Sequence, residues 1–120
     1  MDWKYKHFNQ EMIFKAAPER VLEAARAGVA GALGGIEETS DGFVGRGHAA
    51  FHAEIATFRI TPAADGTKVA VELLVERAAM REYMLFDVGG YYNGQIYKWF
   101  SSISHNLAGT HEQRRTTLRT

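Results

Sequence analysis

Two histidines and a glutamate lie close together in one predicted strand. His48, His52 and Glu54 are spaced by four and two residues, so an unbroken strand places all three on one face. Imidazole and carboxylate groups together can bind zinc or a similar cation. The alternate residues, such as Phe51 and Ile55, are apolar and favour the core, which would leave the histidines in solvent. We therefore expect a solvated strand face here and no metal site.

The same strand is expected to change faces further along. Phe58 and Ile60 are apolar but fall on the side of His52, so the apolar alternation is out of phase with the first half. A β-bulge adds one residue to a strand and reverses the alternation beyond it. The pattern therefore predicts a bulge near Ala56 or Thr57.

Arg77 and Tyr92 are the polar residues best suited to meet a ligand. Arg77 continues the apolar face of a strong predicted strand and would stand at its end, where it can pair with a carboxylate or phenolate. A salt bridge to a neighbour such as Glu82 is the alternative. Tyr92 belongs to the apolar stripe of the last helix, where its hydroxyl could orient a ligand. Catalysis would require one of the two to polarise a carbonyl, and no complete catalytic set is predicted.

Two further motifs do not support catalysis or nucleotide binding. The serines of residues 101–104 lie in a predicted helix near His105, without the strand-turn-helix elbow of a serine hydrolase. Gly89-Gly90 could hold a phosphate at the start of that helix. However, no lysine follows at P-loop spacing and Asp87 would repel an anion.

Hydrophobic periodicity predicts a strand, a helix, a run of strands and a long helix. The first strand covers residues 3–15. Helical spacing then runs from Pro18 to Leu33, and Gly34-Gly35 is expected to end this helix. Strands follow at residues 36–39, 43–44, 48–61 and 68–77, with turns at Ser40-Asp41-Gly42 and residues 62–67. A further short strand at residues 83–86 is left open. Gly28 within the first helix indicates close packing on a sheet, with a hinge as the alternative.

The closing helix begins near Val88 and is expected to end at Gly109. Its apolar stripe consists of Tyr92, Ile96, Trp99, Phe100, Ile103 and Leu107. Tyr91 and Tyr97 fall beside the stripe, where they could be exposed at a dimer contact. Residues 110–120 are polar and aperiodic, so we predict a single domain over residues 1–109 followed by a mobile tail.

Composition restricts the classes of partner. The chain has 120 residues, 46% of them hydrophobic and 23% charged, and its formal net charge is zero. That balance provides no basic field for nucleic acid and leaves self-association open. There is no cysteine, and no apolar run approaches the roughly 20 residues of a membrane span. The first residues lack a secretory signal pattern, so a cytoplasmic protein is expected.

The order of elements resembles the START-like, or polyketide-cyclase-like, helix-grip superfamily (SRPBCC). The resemblance covers about residues 3–108. It rests on the first strand leading into APERVLEAAR, on the hairpin return DGTKVAVELLVER and on the closing helix GGYYNGQIYKWF. It implies an antiparallel sheet that grips the last helix, with a cavity between them for lipids, sterols, polyketides or other apolar molecules. The chain is short for this family, which implies a smaller cavity or one filled by its own side chains.

We therefore expect an α+β helix-grip domain with five to six strands in a curved antiparallel sheet. Its expected function is noncovalent binding of a small apolar or amphipathic molecule, without a cofactor. The expected lining residues are Val71, Leu73, Val75, Arg77, Tyr92, Ile96, Trp99 and Phe100. The alternative is a protein-interaction or homodimeric module with a filled core. A cyclase or dehydratase is the least favoured interpretation.

Overall fold

The computed structural model describes the backbone of residues 5–30, 33–47, 54–76 and 88–119. These residues form an α+β fold with five strands and two helices, which confirms the predicted class and falls within the predicted number of strands. In chain order the elements are β1 (Tyr5–Phe14), α1 (Pro18–Val29), β2 (Leu33–Thr39), β3 (Gly42–Gly47), β4 (Glu54–Ala63), β5 (Gly66–Glu76) and α2 (Val88–Arg119).

The five strands form one antiparallel sheet in the order β1-β5-β4-β3-β2. Strands β2 to β5 therefore follow one another as a meander, and β1 pairs with the last of them. Helix α1 joins β1 at one edge of the sheet to β2 at the other. Both helices pack on the same face of the sheet, so this face is the inner one and the opposite face is the outer one.

The first hairpin turn is confirmed, but the reason for its glycine differs from the prediction. Thr39 pairs with Gly42, which leaves Ser40 and Asp41 as the two turn residues. Gly42 does not adopt the positive φ expected for it, since among the described residues this occurs only at Gly35 and Gly66. A Cβ at position 42 would instead overlap the carbonyl oxygen of Phe58. Close approach of β3 to β4 therefore requires the glycine.

Helix α1 is shorter than predicted. It ends at Val29, and Leu33 is already the first residue of β2, where its side chain is 2% exposed. The prediction that Gly34-Gly35 ends this helix is therefore wrong. Glycines lower the helix propensity of the segment around residues 28–31. Burial of Leu33 against the inner face of the sheet also favours a strand at that point.

Helix α2 is longer than predicted. Helical backbone continues through Gly109 to Arg119, so the predicted helix end at Gly109 is wrong. The mobility expected for residues 110–120 stays a prediction. A single glycine costs a helix only about 1 kcal/mol, and no proline follows to stop it. Neither of the two described helices has a stretch apolar and long enough to cross a membrane.

Strand β4 has no bulge over its described length. Its register with both β3 and β5 is continuous, so the predicted change of face near Ala56 or Thr57 is wrong. Ala56, Phe58 and Ile60 are buried on the inner face. Ile55, expected in the core, is half-buried and belongs to the outer face. His48 and His52 lie outside the described residues. The bulge was predicted because the apolar residues before residue 56 alternate out of phase with those that follow.

Replacement of Gly42 by alanine is expected to destabilise the protein by about 2 kcal/mol, because the new Cβ would force β3 away from Phe58. The matched control is Gly94→Ala in α2, where an added Cβ would meet no atom within 4 Å. That variant should gain up to about 1 kcal/mol from better helix propensity. Urea unfolding measures both changes. Equal stability of Gly42→Ala and the parent would contradict the close approach.

Candidate ligand-binding site

The sheet wall of the candidate site is formed mainly by β5. Val69, Val71, Leu73 and Val75 alternate along this strand and are 0–1% exposed, as predicted. The residues between them are half-buried and belong to the outer face. Two neighbouring strands flank β5, so this apolar row runs through the interior of the sheet and not along an edge.

The helix wall is the predicted stripe of α2. Tyr92, Ile96, Trp99, Phe100 and Ile103 are 0–3% exposed, and Leu107 packs against the same cluster with partial exposure. The stripe thus meets the β5 row, and the predicted lining residues of both elements come together. The exception is Arg77, which lies outside the described residues.

Aromatic rings from the sheet contact the rings of the helix. Phe8 of β1 lies 5.1 Å from Tyr92, and Phe14 at the other end of β1 lies 6.2 Å from Phe100 between ring centroids. These separations fall in the favourable range for aromatic pairs. The rings fix the height and direction of α2 above β1.

A second pair of rings closes the interior beneath Trp99. Phe58 of β4 lies 5.6 Å from Trp99 and stacks on Phe43 of β3 at 4.7 Å with an interplanar angle of 13°. Phe43 and Phe58 are directly opposite each other in the strand pairing. The rings of Phe43 and Phe58 therefore occupy the part of the interior beneath Trp99.

The inner face of the sheet has its smallest side chains in the next inward-facing pair after Phe43 and Phe58. Gly45 of β3 and Ala56 of β4 are directly paired, so neither strand presents more than a methyl group there. Leu33 occupies part of this space, because a Cβ at position 45 would lie 3.0 Å from the Cβ of Leu33. Leu73 follows Ala56 in the same row. The side chains of the sheet wall are therefore shortest at Gly45 and Ala56, between β5 and Leu33.

Trp99 brings a polar atom into this apolar interior. Its side chain is 3% exposed, and its indole nitrogen is buried without a hydrogen-bond acceptor among the described residues. A buried donor without an acceptor costs about 1–3 kcal/mol. Buried tryptophans usually find an acceptor for this N–H, so the arrangement needs an explanation.

Gln10 holds the first half of α2 in place. This residue of β1 donates from Nε2 to Oδ1 of Asn93 at 3.1 Å and accepts at Oε1 from the hydroxyl of Tyr97 at 3.1 Å. Tyr97 is 50% exposed, which agrees with its predicted position beside the stripe. Its hydroxyl therefore helps to anchor the helix, while the side chain of Tyr91 is outside the described set.

The second half of α2 is held by α1. Asn106 donates from Nδ2 to the carbonyl oxygen of Ala24 at 3.1 Å. Gly28 faces Ser102, and a Cβ on Gly28 would lie 3.0 Å from the Cβ of that serine. Gly28 therefore serves close packing as predicted, but against α2 and not against the sheet. Val21 and Val29 of α1 are fully buried beside this contact.

The predicted acid and imidazole groups do not form a described metal centre. Within residues 5–30, 33–47, 54–76 and 88–119, no three histidine or carboxylate side chains are arranged to hold a metal ion. Glu54 is half-buried at the start of β4. The two histidines predicted beside it, like the glycine-flanking Asp87, fall outside these residues.

The most important residues missed by the sequence interpretation are the inward-facing side chains of β3 and β4. Phe43, Ala56 and Phe58 shape the floor of the site, but none was predicted to line it. The signal was present in the alternation from Ala56 to Ile60. It was obscured because the apolar residues before residue 56 alternate in the opposite phase, which predicts a bulge instead of one continuous inner face.

No protein-family model matches the chain, and no curated protein matches it significantly. The structure is similar to the crystal structure of TTHA0849 from Thermus thermophilus. The sequence identity is 15% and the TM-score 0.55, and the match covers 88% of this chain and 99% of that chain. At this identity the likeness concerns the fold alone. It shows that nearly the whole of another protein adopts a similar arrangement.

Truncation of Leu73 to alanine should lower the free energy of unfolding by about 3 kcal/mol, because it removes a fully buried side chain between the sheet and α2. Leu74→Ala is the matched control on the half-buried outer face of the same strand, with an expected loss below about 1 kcal/mol. Chemical denaturation of both variants gives the comparison. Similar losses at the two positions would show that the inner and outer faces are wrongly assigned.

Proposed function

We propose that the protein is a helix-grip protein that binds a small, mainly apolar molecule noncovalently. The ligand carries a hydrogen-bond acceptor and lies between the sheet and α2, with Leu73 and Ala56 beneath it and Tyr92, Ile96 and Trp99 above it. This position combines the lowest part of the sheet wall with the buried N–H of the helix wall.

The buried indole N–H of Trp99 is the observation that carries this proposal. An apolar core gains nothing from an unsatisfied donor, since phenylalanine would fill similar space without that cost. A carbonyl, ether or phenolic oxygen on a ligand would satisfy the donor and offset the desolvation. The same bond would select ligands with an acceptor over wholly apolar ones of equal size.

The walls account for the apolar part of the ligand. From Val69 to Val75, every side chain of β5 that faces α2 is aliphatic, and the flanking rings belong to Phe8, Phe58 and Tyr92. Such walls with a few polar groups are typical of small-molecule sites. The ring of Trp99 is the wall group whose hydrogen bonding would improve when a ligand with an acceptor enters.

The layout of elements supports the helix-grip assignment. The sheet packs on a C-terminal helix, and the remaining helix connects the two edge strands, as the resemblance to the START-like superfamily implies. The structural likeness to TTHA0849 over 88% of this chain concerns the same arrangement. A cavity between sheet and helix is the binding place that this layout offers.

Titration with two compounds of matched shape tests the role of the N–H. 2-Acetylnaphthalene offers an acceptor, whereas 2-ethylnaphthalene does not. We expect the acetyl compound to bind about tenfold more tightly, because one additional buried hydrogen bond is worth about 1–1.5 kcal/mol. In ¹H–¹⁵N spectra its binding should shift the indole proton of Trp99 downfield. Trp99→Phe removes one of the two indole signals of the chain and so assigns the resonance.

Trp99→Phe should reduce the difference in affinity between the two compounds to less than about twofold, since the discriminating donor is gone. Lys98→Gln is the control, because it alters an exposed side chain next to Trp99 on the same helix and should leave the tenfold difference intact. Failure of both compounds to shift any resonance of β5 or α2 would exclude the interior site. Equal affinity of the parent for both would exclude the bond to Trp99.

A homodimeric or protein-binding role is the second candidate. The exposed large hydrophobic residues Met12, Ile13 and Tyr97 belong to edge strand β1 and the helix beside it. An edge strand with apolar side chains can pair with another chain. Native mass spectrometry of freshly purified protein separates the two roles. A small-molecule adduct lost on denaturation supports the ligand, whereas an adduct-free dimer supports the interface.

A further inference from the structure

A separate cavity of about 430 Å³ lies on the outer face of the sheet, away from α2. We call this cavity the outer trough. Its side-chain walls come from three neighbouring strands and consist of Asn9 and Glu11 of β1, Thr57 and Arg59 of β4, and Ala70 and Glu72 of β5. Gln10 and Val71 also border the cavity, but their side chains face α2 on the opposite side of the sheet.

The trough exists because a small residue occupies the middle of the sheet. Ala70 pairs with Glu11 on one side and with Arg59 on the other. Neighbouring strands are about 4.8 Å apart, so the backbones of Glu11 and Arg59 are separated by roughly 10 Å. Only a methyl group fills the floor between two long side chains. The space above Ala70 can therefore hold a molecule whose chain is a few bonds long.

Charges of opposite sign occupy opposite parts of the trough. Glu11 pairs at 4.0 Å with Lys68, and Glu72 pairs at 3.6 Å with His7. Arg59 is exposed, and no carboxylate of the described residues lies within 4.0 Å of its guanidinium. Thus Arg59 provides a cation on the β4 side of the trough, and Glu72 and Glu11 provide carboxylates on β5 and β1. No ion pair of the described residues joins Arg59 to either carboxylate.

We propose that the outer trough binds a small zwitterion that carries both a carboxylate and an ammonium group. Arg59 pairs with the carboxylate through its planar guanidinium, and Glu72 and Glu11 receive the ammonium group. Asn9 and Thr57 supply additional hydrogen-bonding groups along the rim. This site is independent of the proposed function, since it lies on the other face of the sheet.

Charge complementarity favours a zwitterion over a simple ion. A lone anion would approach Arg59 but would also meet the repulsion of Glu72 and of Glu11, although Lys68 beside Glu11 offsets part of the latter. A lone cation would meet Arg59 in the same way, and the described residues provide no set of three acidic or imidazole groups for a metal ion. A molecule with both charges, oriented along the line from Arg59 to Glu11, satisfies both walls at once.

The test uses 4-aminobutyrate, with butyrate and butylamine as analogues that each keep one of its charges. ¹H–¹⁵N spectra of the full chain report binding at the amides of Arg59, Ala70 and Glu72. We expect 4-aminobutyrate to shift these amides with at least about fivefold higher affinity than either analogue, and added salt to weaken the binding. Equal affinity for all three, or no local shifts with 4-aminobutyrate, would overturn the proposal.

Three variants locate the binding. Arg59→Gln should lower the affinity at least about fivefold by removing the cation. Ala70→Leu should abolish the shifts by filling the floor, and it introduces a larger apolar side chain on a half-buried face. Arg46→Gln is the control, because this exposed arginine of β3 lies on the same face outside the trough. An equal effect of Arg46→Gln and Arg59→Gln would assign the binding to general charge and overturn the site.

Discussion

The alternation of side chains along β5 is the constraint on which the rest of the structure depends. This strand pairs on both sides, and its odd-numbered positions from Val69 to Val75 are buried while the even-numbered positions face outward. A slip of one residue would exchange the two faces completely. Burial of the apolar row against α2 therefore fixes the register of β1 and β4 and, with it, the outward position of Ala70 and Glu72.

This alternation links two surfaces of different chemistry within one strand. The inner face supplies an aliphatic wall for the contact with α2, whereas the outer face has a methyl floor between charged side chains. Val71 and Ala70 are consecutive in the chain but belong to opposite environments. The backbone pairing of β5 with β1 and β4 therefore positions both the interior side chains and the walls of the outer trough.

The sequence was sufficient to predict the parts of the fold where the hydrophobic period is uninterrupted. The faces of β5 and the stripe from Tyr92 to Ile103 follow from spacings of two residues and about 3.6 residues. The length of α2 did not follow, because a single glycine such as Gly109 is only a weak terminator, and the length of α1 did not follow either. The end of α1 depends on where Leu33 finds a buried position in the sheet, which is a tertiary effect.

The shape of the candidate site was the least predictable feature. The inward position of the apolar residues of β5 and α2 follows from the sequence, whereas the packing beneath Trp99 depends on Phe43 and Phe58, whose stacking requires a specific register between two strands. The alternation also placed Ile55 on the wrong face. A sequence pattern indicates which residues face inward, whereas the packing of rings across strands decides how much space remains.

The position of β1 in the sheet has a consequence for how the chain folds. Residues of β1 pair with residues of β5, so Phe14 meets Thr67 and Tyr5 meets Glu76, while the strands between them form local hairpins. Contacts between residues that are this far apart in the sequence form late and slow the folding of the chain. During synthesis the first strand must wait for the last one to leave the ribosome. The β2-to-β5 meander is therefore the part able to form first, and the apolar side of β1 is exposed to chaperones or to other nascent chains until β5 arrives.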